Sequence, residues 1–341
     1  MKILLGMSGG VDSCAAAAVL QQQGHTVAGV YLLMKPDADP AGADACRAAE
    51  AAGKLGIDFF TADCRAEFEK NVMQPFAAQY AAGKTPNPCV LCNPTVKFRT
   101  LLREAERCGM DTIATGHYAR IAERDGLFRL CRAANAKDQS YFLYALGQDI
   151  LSRTVYPLGD FASKEAVRAY AAAHGFSAAH VKDRQEICFL PDGEYARFAC
   201  DTLHLTPEEG NFIDMQGNVL GKHRGILYYT AGQRKGLGAF GAPRYVFSIC
   251  PADNTVTLCT AEERFAGSLT AAQLTFCGAR PADRFEATVK IRSTARPAPA
   301  HIHLVGDTAE VVFDTPQLSV SPGQSAVFYD GEQVLGGGII Q

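Results

Sequence analysis

Ile3-Leu4-Leu5-Gly6-Met7-Ser8-Gly9-Gly10-Val11-Asp12-Ser13 decides the fold of this 341-residue chain. An apolar run short enough to be a buried strand leads into Ser-Gly-Gly-x-Asp-Ser, and an alanine-rich segment follows. Two successive glycines let the backbone turn tightly, so that neighbouring N–H groups converge on an anion. The helix that begins there adds its positive dipole end. The loop is therefore expected to cradle phosphate. It lacks the Lys of G-x-x-x-x-G-K-[ST], so it is not a kinase-type phosphate loop.

Outward from the loop, strand and helix alternate. Residues 2–6 read as a strand, 13–22 as a helix stopped by Gly24, and Thr26–Leu33 as a second strand. Asp44–Leu55 reads as a helix with Asp44 as N-cap, and Ile57–Ala62 as a third strand. Helices are expected over 65–82 and 97–108, with a fourth strand at Asp111–Thr115. This βαβα rhythm predicts an α/β fold with a parallel sheet covered on both faces. Ligands of such sheets bind beyond the carboxyl ends of the strands, where Ser8–Ser13 and Gly116-His117 both fall. Tyr118–Leu130, broken by Asp125-Gly126, predicts a hairpin. Helix is expected again over 139–151 and 163–174. From about residue 200, short alternating runs such as Tyr245–Ile249, Thr255–Cys259, Phe285–Ile291 and Glu310–Phe313 predict a β-rich remainder. The expected division is 1–200, a small mixed α+β domain over 201–265, and a barrel over 266–341.

Composition narrows the setting. The apolar fraction is 48% and the charged fraction 20%, as in ordinary globular proteins. No apolar run approaches the roughly 20 residues of a membrane span. Met1–Gly6 is too short for a signal peptide, so a cytoplasmic location is expected. Twelve cysteines are scattered rather than paired. Net charge is −3, yet Lys222–Arg244 holds five Lys/Arg and no acid, and Arg280–Arg296 is net basic. Such clusters suit RNA even on a nearly neutral protein.

Two cysteine stretches stand apart. Thr85-Pro86-Asn87-Pro88-Cys89-Val90-Leu91-Cys92-Asn93 is a loop stiffened by prolines on both sides of Asn87. Its Cys-x-x-Cys can be a redox pair, half of a metal site, or one catalytic thiol with a bystander. Cys188 lies in Lys182-Asp183-Arg184-Gln185-Glu186-Ile187-Cys188-Phe189-Leu190, where a nearby cation would favour its thiolate. In Asn135–Leu143, Asp138 reads most simply as a helix N-cap.

Taken together the motifs resemble a known family. The Ser-Gly-Gly-x-Asp-Ser loop is similar to the pyrophosphatase-type (PP) loop of enzymes that split ATP into AMP and pyrophosphate. Gly6–Ser13, Thr85–Asn93, Ala114–Tyr118, Lys137–Leu143, Glu186–Phe189, Gly232–Gly238 and Pro322–Tyr329 resemble, in order, the blocks of the bacterial tRNA 2-thiouridylases. That resemblance implies an ATP-dependent enzyme that replaces O2 of the wobble uridine of tRNA with sulfur. It implies ATP at Gly6, Met7, Ser8, Gly9, Gly10, Val11, Asp12 and Ser13, with Leu32 and Gly116 completing the pocket. It further implies Cys92 as nucleophile, Cys188 as persulfide carrier, and Asn87, Pro88 and Cys89 beside the target base. His117, Lys137, Asp138, Gln139, Arg292, Ser293 and Gln324 would contact the tRNA around its anticodon loop. Mg²⁺ is expected on the pyrophosphate, with Asp12 as a ligand of the ion or of its water. A persulfide donor or relay protein is the expected second partner, and no membrane.

One position departs from the family pattern, in which many members carry Asp where Cys89 stands. Three thiolates, on Cys89, Cys92 and Cys188, could instead hold a [4Fe-4S] cluster with one open iron. Two readings from other classes remain at this point. A small-molecule adenylating ligase would need neither Cys92 nor Cys188. A noncatalytic RNA-binding protein would have no use for an intact phosphate loop.

Overall fold

The structure, a computed structural model, describes residues 1–181, 187–190 and 193–341. Strand β1 (Lys2–Gly6) is at the centre of a parallel sheet, with Ile3, Leu4 and Leu5 fully buried between helical layers. On one side it pairs with β2 (Thr26–Leu33), which pairs with β3 (Asp58–Asp63); on the other it pairs with β4 (Thr112–Thr115). Thr154–Val155 continues the sheet beyond β4. The chain thus winds outward through β2 and β3, then returns to the opposite side of β1. A crevice opens at that switch point, between the ends of β1 and β4. Helix α1 (Val11–Gln22) lies against the sheet with Ala15–Ala18 buried, small side chains that permit close approach.

Three helical expectations need correction. The segment 65–82 is helical but changes register, with a π turn at Glu69–Met73 between Arg65–Phe68 and Gln74–Ala81. Residues 139–151 form only a 3₁₀ turn, Ser140–Phe142, and a single α turn, Gln148–Leu151. Tertiary partners have taken their carbonyls: Asn93 Nδ2 donates to Phe142 O, and Cys277 Sγ donates to Tyr144 O. Asp44 does not cap its helix, which starts after Gly42. Its carboxylate is paired with Arg47, whose Nε donates to Gly9 O at 3.2 Å.

The β-rich remainder has two parts. Gly210–Ile213, Val219–His223, Tyr245–Cys250 and Thr255–Cys259 form a four-stranded sheet over Phe212, Val246, Val256 and Leu258. Six strands between Phe265 and Ile340 form an antiparallel barrel, closed where Ala271 pairs with Ile340. The expected hairpin, Ala119–Arg124 with Leu127–Arg132, turns through Asp125 and Gly126 with both φ positive. It also joins the barrel sheet through Gln333 and Cys131. Cys277, Val327, Tyr329 and Val334 of the barrel share one apolar core with Tyr141, Leu143 and Tyr144.

Candidate functional site

The loop after β1 has the backbone of an anion cradle. Gly9 is at φ +73°, and a Cβ there would fall 1.9 Å from Asp44 O, so only glycine fits. Gly10 occupies the N-cap of α1 and no side chain caps the helix, which leaves its first-turn amides to a ligand. Ser13 Oγ donates to Gly10 O at 3.0 Å and accepts from Ser8 N–H at 3.1 Å, fixing the loop's shape. Gly116, just past β4, presses on the helix start: a Cβ there would lie 2.9 Å from Asp12 C. A cavity of about 290 Å³ opens here, the lower end of the range for ligand pockets. Gly6, Met7, Ser8, Asp12, Ser13, Leu32 and Gly116 all line it, while Gly9, Gly10 and Val11 shape the loop behind.

Asp12 is not placed as a direct cation ligand. Its Oδ1 accepts from Tyr118 Oη at 2.7 Å and its Oδ2 from Lys164 Nζ at 2.5 Å. Both oxygens are engaged, and no group of three or more His, Cys, Asp or Glu among the described residues is arranged to hold a metal. Direct ligation of Mg²⁺ by Asp12 would compete with Lys164, so of the two expected roles contact through the ion's water fits this arrangement better.

The cysteine loop is built from its prolines outward. Asn87 caps the short helix Pro88–Cys92, its Oδ1 accepting from Cys89 N–H at 3.1 Å, with Pro88 in the first turn where its missing N–H costs nothing. Cys89 is exposed while Cys92 points inward, 7% exposed. A π turn, Asn93–Lys97, then displaces Lys97 into the cavity wall. From the other side, Phe189 packs against Phe68, Phe76 and Phe198 at centroid distances of 5.6, 5.5 and 5.2 Å. That anchor presents Cys188 to the cavity, where it shares the lining with Ser8 and Ser13.

Burial pushes the Cys92 thiol up to about 12, against the pull of the Lys97 ammonium. Cys89 and Cys188 are surface-accessible, yet desolvation raises both thiols, and of the two only Cys188 lines the cavity. The expected thiolate on Cys188 is thus not the resting form. Lys182–Glu186, the charged flank of the sequence reading, lie outside the described residues. The same geometry gives a cluster no support, since Cys89, Cys92 and Cys188 are not arranged as a ligand set.

The residues expected at tRNA are dispersed, and several have internal partners. His117 stacks on Phe98 and lines the cavity, with Nδ1 2.7 Å from Thr115 Oγ1 and Nε2 3.4 Å from Lys97 Nζ. Burial, then Lys97, holds its imidazole well below the usual histidine range, so it is neutral. Asp138 is structural: its side chain, 5% exposed, accepts from Ala133 N–H, Ser140 N–H and Ser140 Oγ and pairs with Arg132. Gln139 lines the cavity and accepts from Tyr118 N–H, whereas Lys137 is exposed outside it. In the barrel, the Arg292 guanidinium donates to Leu318 O and Ser319 O, with Ser293 beside it in the same turn. Gln324 Nε2 donates to Thr85 O at 2.7 Å, and Thr85 N–H to Pro322 O at 2.8 Å, so a barrel loop braces the entry to the cysteine loop. Sequence reasoning missed Lys97, Lys164 and Phe189. Lys97 follows Cys92 by five residues, one π turn, a spacing that α-helical periodicity does not flag.

Family models match most of the chain: a tRNA methyl transferase HUP domain over residues 1–192, a tRNA methyl transferase PRC-barrel domain over 202–260, and an aminomethyltransferase beta-barrel domain over 266–340. Among curated proteins it is similar to the tRNA-specific 2-thiouridylase MnmA of Syntrophotalea carbinolica, at 46% identity over 99% of this chain and 98% of the relative. It is similar also to that of Clostridioides difficile, at 43% identity over 100% of this chain and 98% of the relative. A solved 4-thiouridine synthetase–RNA complex with bound ATP matches 56% of this chain and 45% of that chain, at 16% identity and a TM-score of 0.39.

Proposed function

Because the chain belongs to the tRNA-specific 2-thiouridylase (MnmA) family, we propose a division of labour for its site in ATP-dependent sulfur transfer to tRNA. Residues 1–200 perform the chemistry, and 201–265 with 266–341 form the RNA platform. The observation that carries this reading is the shared lining of one cavity by Ser8 and Ser13 of the phosphate loop and by Cys188. A phosphate cradle and a thiol on one small cavity suit activation followed by sulfur delivery at a single carbon.

A uridine carbonyl oxygen is a poor leaving group. In the first step O2 attacks the α-phosphorus of ATP, the bond to pyrophosphate breaks, and pyrophosphate departs with the electron pair. The amides at Gly9–Asp12 bind that pyrophosphate, and Leu32 and Gly116 hold the nucleotide. In the second step the terminal sulfur of a Cys188 persulfide attacks C2 and AMP leaves. Cys92 then attacks the Cys188 sulfur, which frees the thiocarbonyl and leaves a Cys92–Cys188 disulfide. A dithiol reductant supplies two electrons to reopen it, and a persulfide-bearing protein reloads Cys188. Asn87, Pro88 and Cys89 border the base, which leaves its stack cheaply in a single-stranded anticodon loop. Lys137, Gln139, Arg292 and Ser293 meet the tRNA, those with internal contacts exchanging them, while His117 and Gln324 keep their internal bonds and border it. A tRNA substrate and an ATP requirement support a cytoplasmic location.

Mass spectrometry of bulk tRNA tests the reading. A deletion strain should lack 2-thiouridine, and wild type but not Cys188→Ser should restore it. Restoration by Cys188→Ser would instead favour an adenylating enzyme that needs no thiol.

A further inference from the structure

We propose that Lys97 is a catalytic residue whose ammonium holds the α-phosphate of ATP during adenylation and of AMP as it departs. This rests on the sulfur-transfer reading above and assigns it a residue that neither the motifs nor the family blocks supplied. Three lysines line or border the crevice, and two already have carboxylate partners: Lys164 pairs with Asp12 at 2.5 Å and Lys35 with Asp37 at 3.7 Å. Lys97 pairs with no carboxylate among the described residues. Its Nζ meets His117 Nε2, and that imidazole is neutral, so it orients the ammonium without cancelling its charge. Nε2 accepting from Lys97 leaves the ring proton on Nδ1, to be donated to Thr115 Oγ1.

A half-buried ammonium with no carboxylate partner is a ready site for an anion. Two anions could occupy it. The thiols are one, but burial keeps all three protonated at neutral pH despite Lys97, so the resting site offers no thiolate. ATP is the other. With its β- and γ-phosphates on the amides of the loop around Gly9, its α-phosphate would fall within the same cavity. Lys97 lines that cavity together with His117 and Cys188. A cation there neutralises the charge that builds on the α-phosphate as pyrophosphate leaves. It does so again when the C2–O bond breaks and AMP takes the electron pair.

Lys97→Met and Lys97→Arg test the assignment in the full-length enzyme with tRNA. For Lys97→Met, tRNA-dependent pyrophosphate release should fall about 100-fold, the scale for loss of one charge-stabilising donor. AMP affinity should fall about tenfold or more, and Lys97→Arg should recover part of both. Melting temperature and persulfide loading of Cys188 should remain as in wild type. Pyrophosphate release at the wild-type rate with accumulation of adenylated tRNA would overturn the proposal, because the lysine would then serve the sulfur step. A parallel fall in melting temperature, ATP binding and persulfide loading would overturn it too, as a folding role. If wild type itself releases no pyrophosphate with tRNA, the sulfur-transfer reading fails rather than the Lys97 assignment.

Discussion

Gly323→Ala should uncouple the barrel from the cysteine loop without touching the nucleotide site. Gly323 is at φ +91°, and a Cβ there would lie 2.9 Å from Thr85 N and 3.0 Å from Lys84 Cβ. A left-handed alanine costs about 1–2 kcal/mol. The overlap costs the docked state about 2 kcal/mol more, as overpacking does, and the loop escapes both costs by lifting off Thr85 and releasing its two hydrogen bonds. The sum, about 3–4 kcal/mol, shifts the docked-to-open equilibrium by roughly 100- to 1000-fold. Hydrogen exchange at the Thr85 amide reads this directly, since its acceptor is Pro322 O. Exchange should accelerate toward that factor and thiolation should slow, while ATP affinity holds. Gln324→Ala removes one bond and should accelerate exchange only about fivefold, the equivalent of 1 kcal/mol. Wild-type exchange in Gly323→Ala, or ATP affinity falling in step with thiolation, would refute the bracing role.

Other expectations follow from the same geometry. Gly9→Ala must displace Asp44 or the loop, so it should abolish ATP binding by calorimetry while circular dichroism still reports the α/β fold. The rate of persulfide cleavage by Cys92 should climb about tenfold per pH unit from pH 7 to 9, because its thiol titrates near 12 and the reactive thiolate gains with each unit. The linked stability has the opposite sign. A thiol raised in the folded state favours folding below its ordinary value of 9.0, and that contribution is lost as pH climbs above it, so chemical denaturation should show weakening at alkaline pH. Anaerobically purified enzyme should show no iron–sulfur absorption or Mössbauer signal and should be active after chelation; activity that appears only with a reconstituted cluster would contradict the arrangement of Cys89, Cys92 and Cys188.

Local chemistry made much of this legible in advance. The buried run Ile3–Leu5 and the two glycines after it define both β1 and the cradle, because the constraint acts within ten residues. The hairpin turn at Asp125-Gly126 is equally local. What sequence reading could not supply depended on distant partners. Asp12 looks like a cation ligand until Lys164, 152 positions away, occupies it. Residues 139–151 carry helical propensity that Asn93 and Cys277 override by taking their carbonyls. Lys97 looks like one more charge on a helix face until the π turn rotates it inward.

The hairpin that leaves the catalytic sheet at Ala119 and ends in the barrel sheet sets a limit on how this protein can be divided. Its second strand meets Gln333, Arg132 N–H donates to Glu332 O, and Tyr141 Oη donates to Ser325 O across a continuous core. Cutting the chain at residue 265 would strip Leu127–Arg132 of its neighbour and bare Tyr141 and Tyr144, an open edge beside an apolar face. A shortened enzyme should precipitate rather than persist as a smaller ATPase, and grafting a foreign barrel would require matching the hairpin as well as the linker. Variation in this architecture is therefore tolerated more readily on the barrel's outer surface than at its join to the parallel-sheet domain.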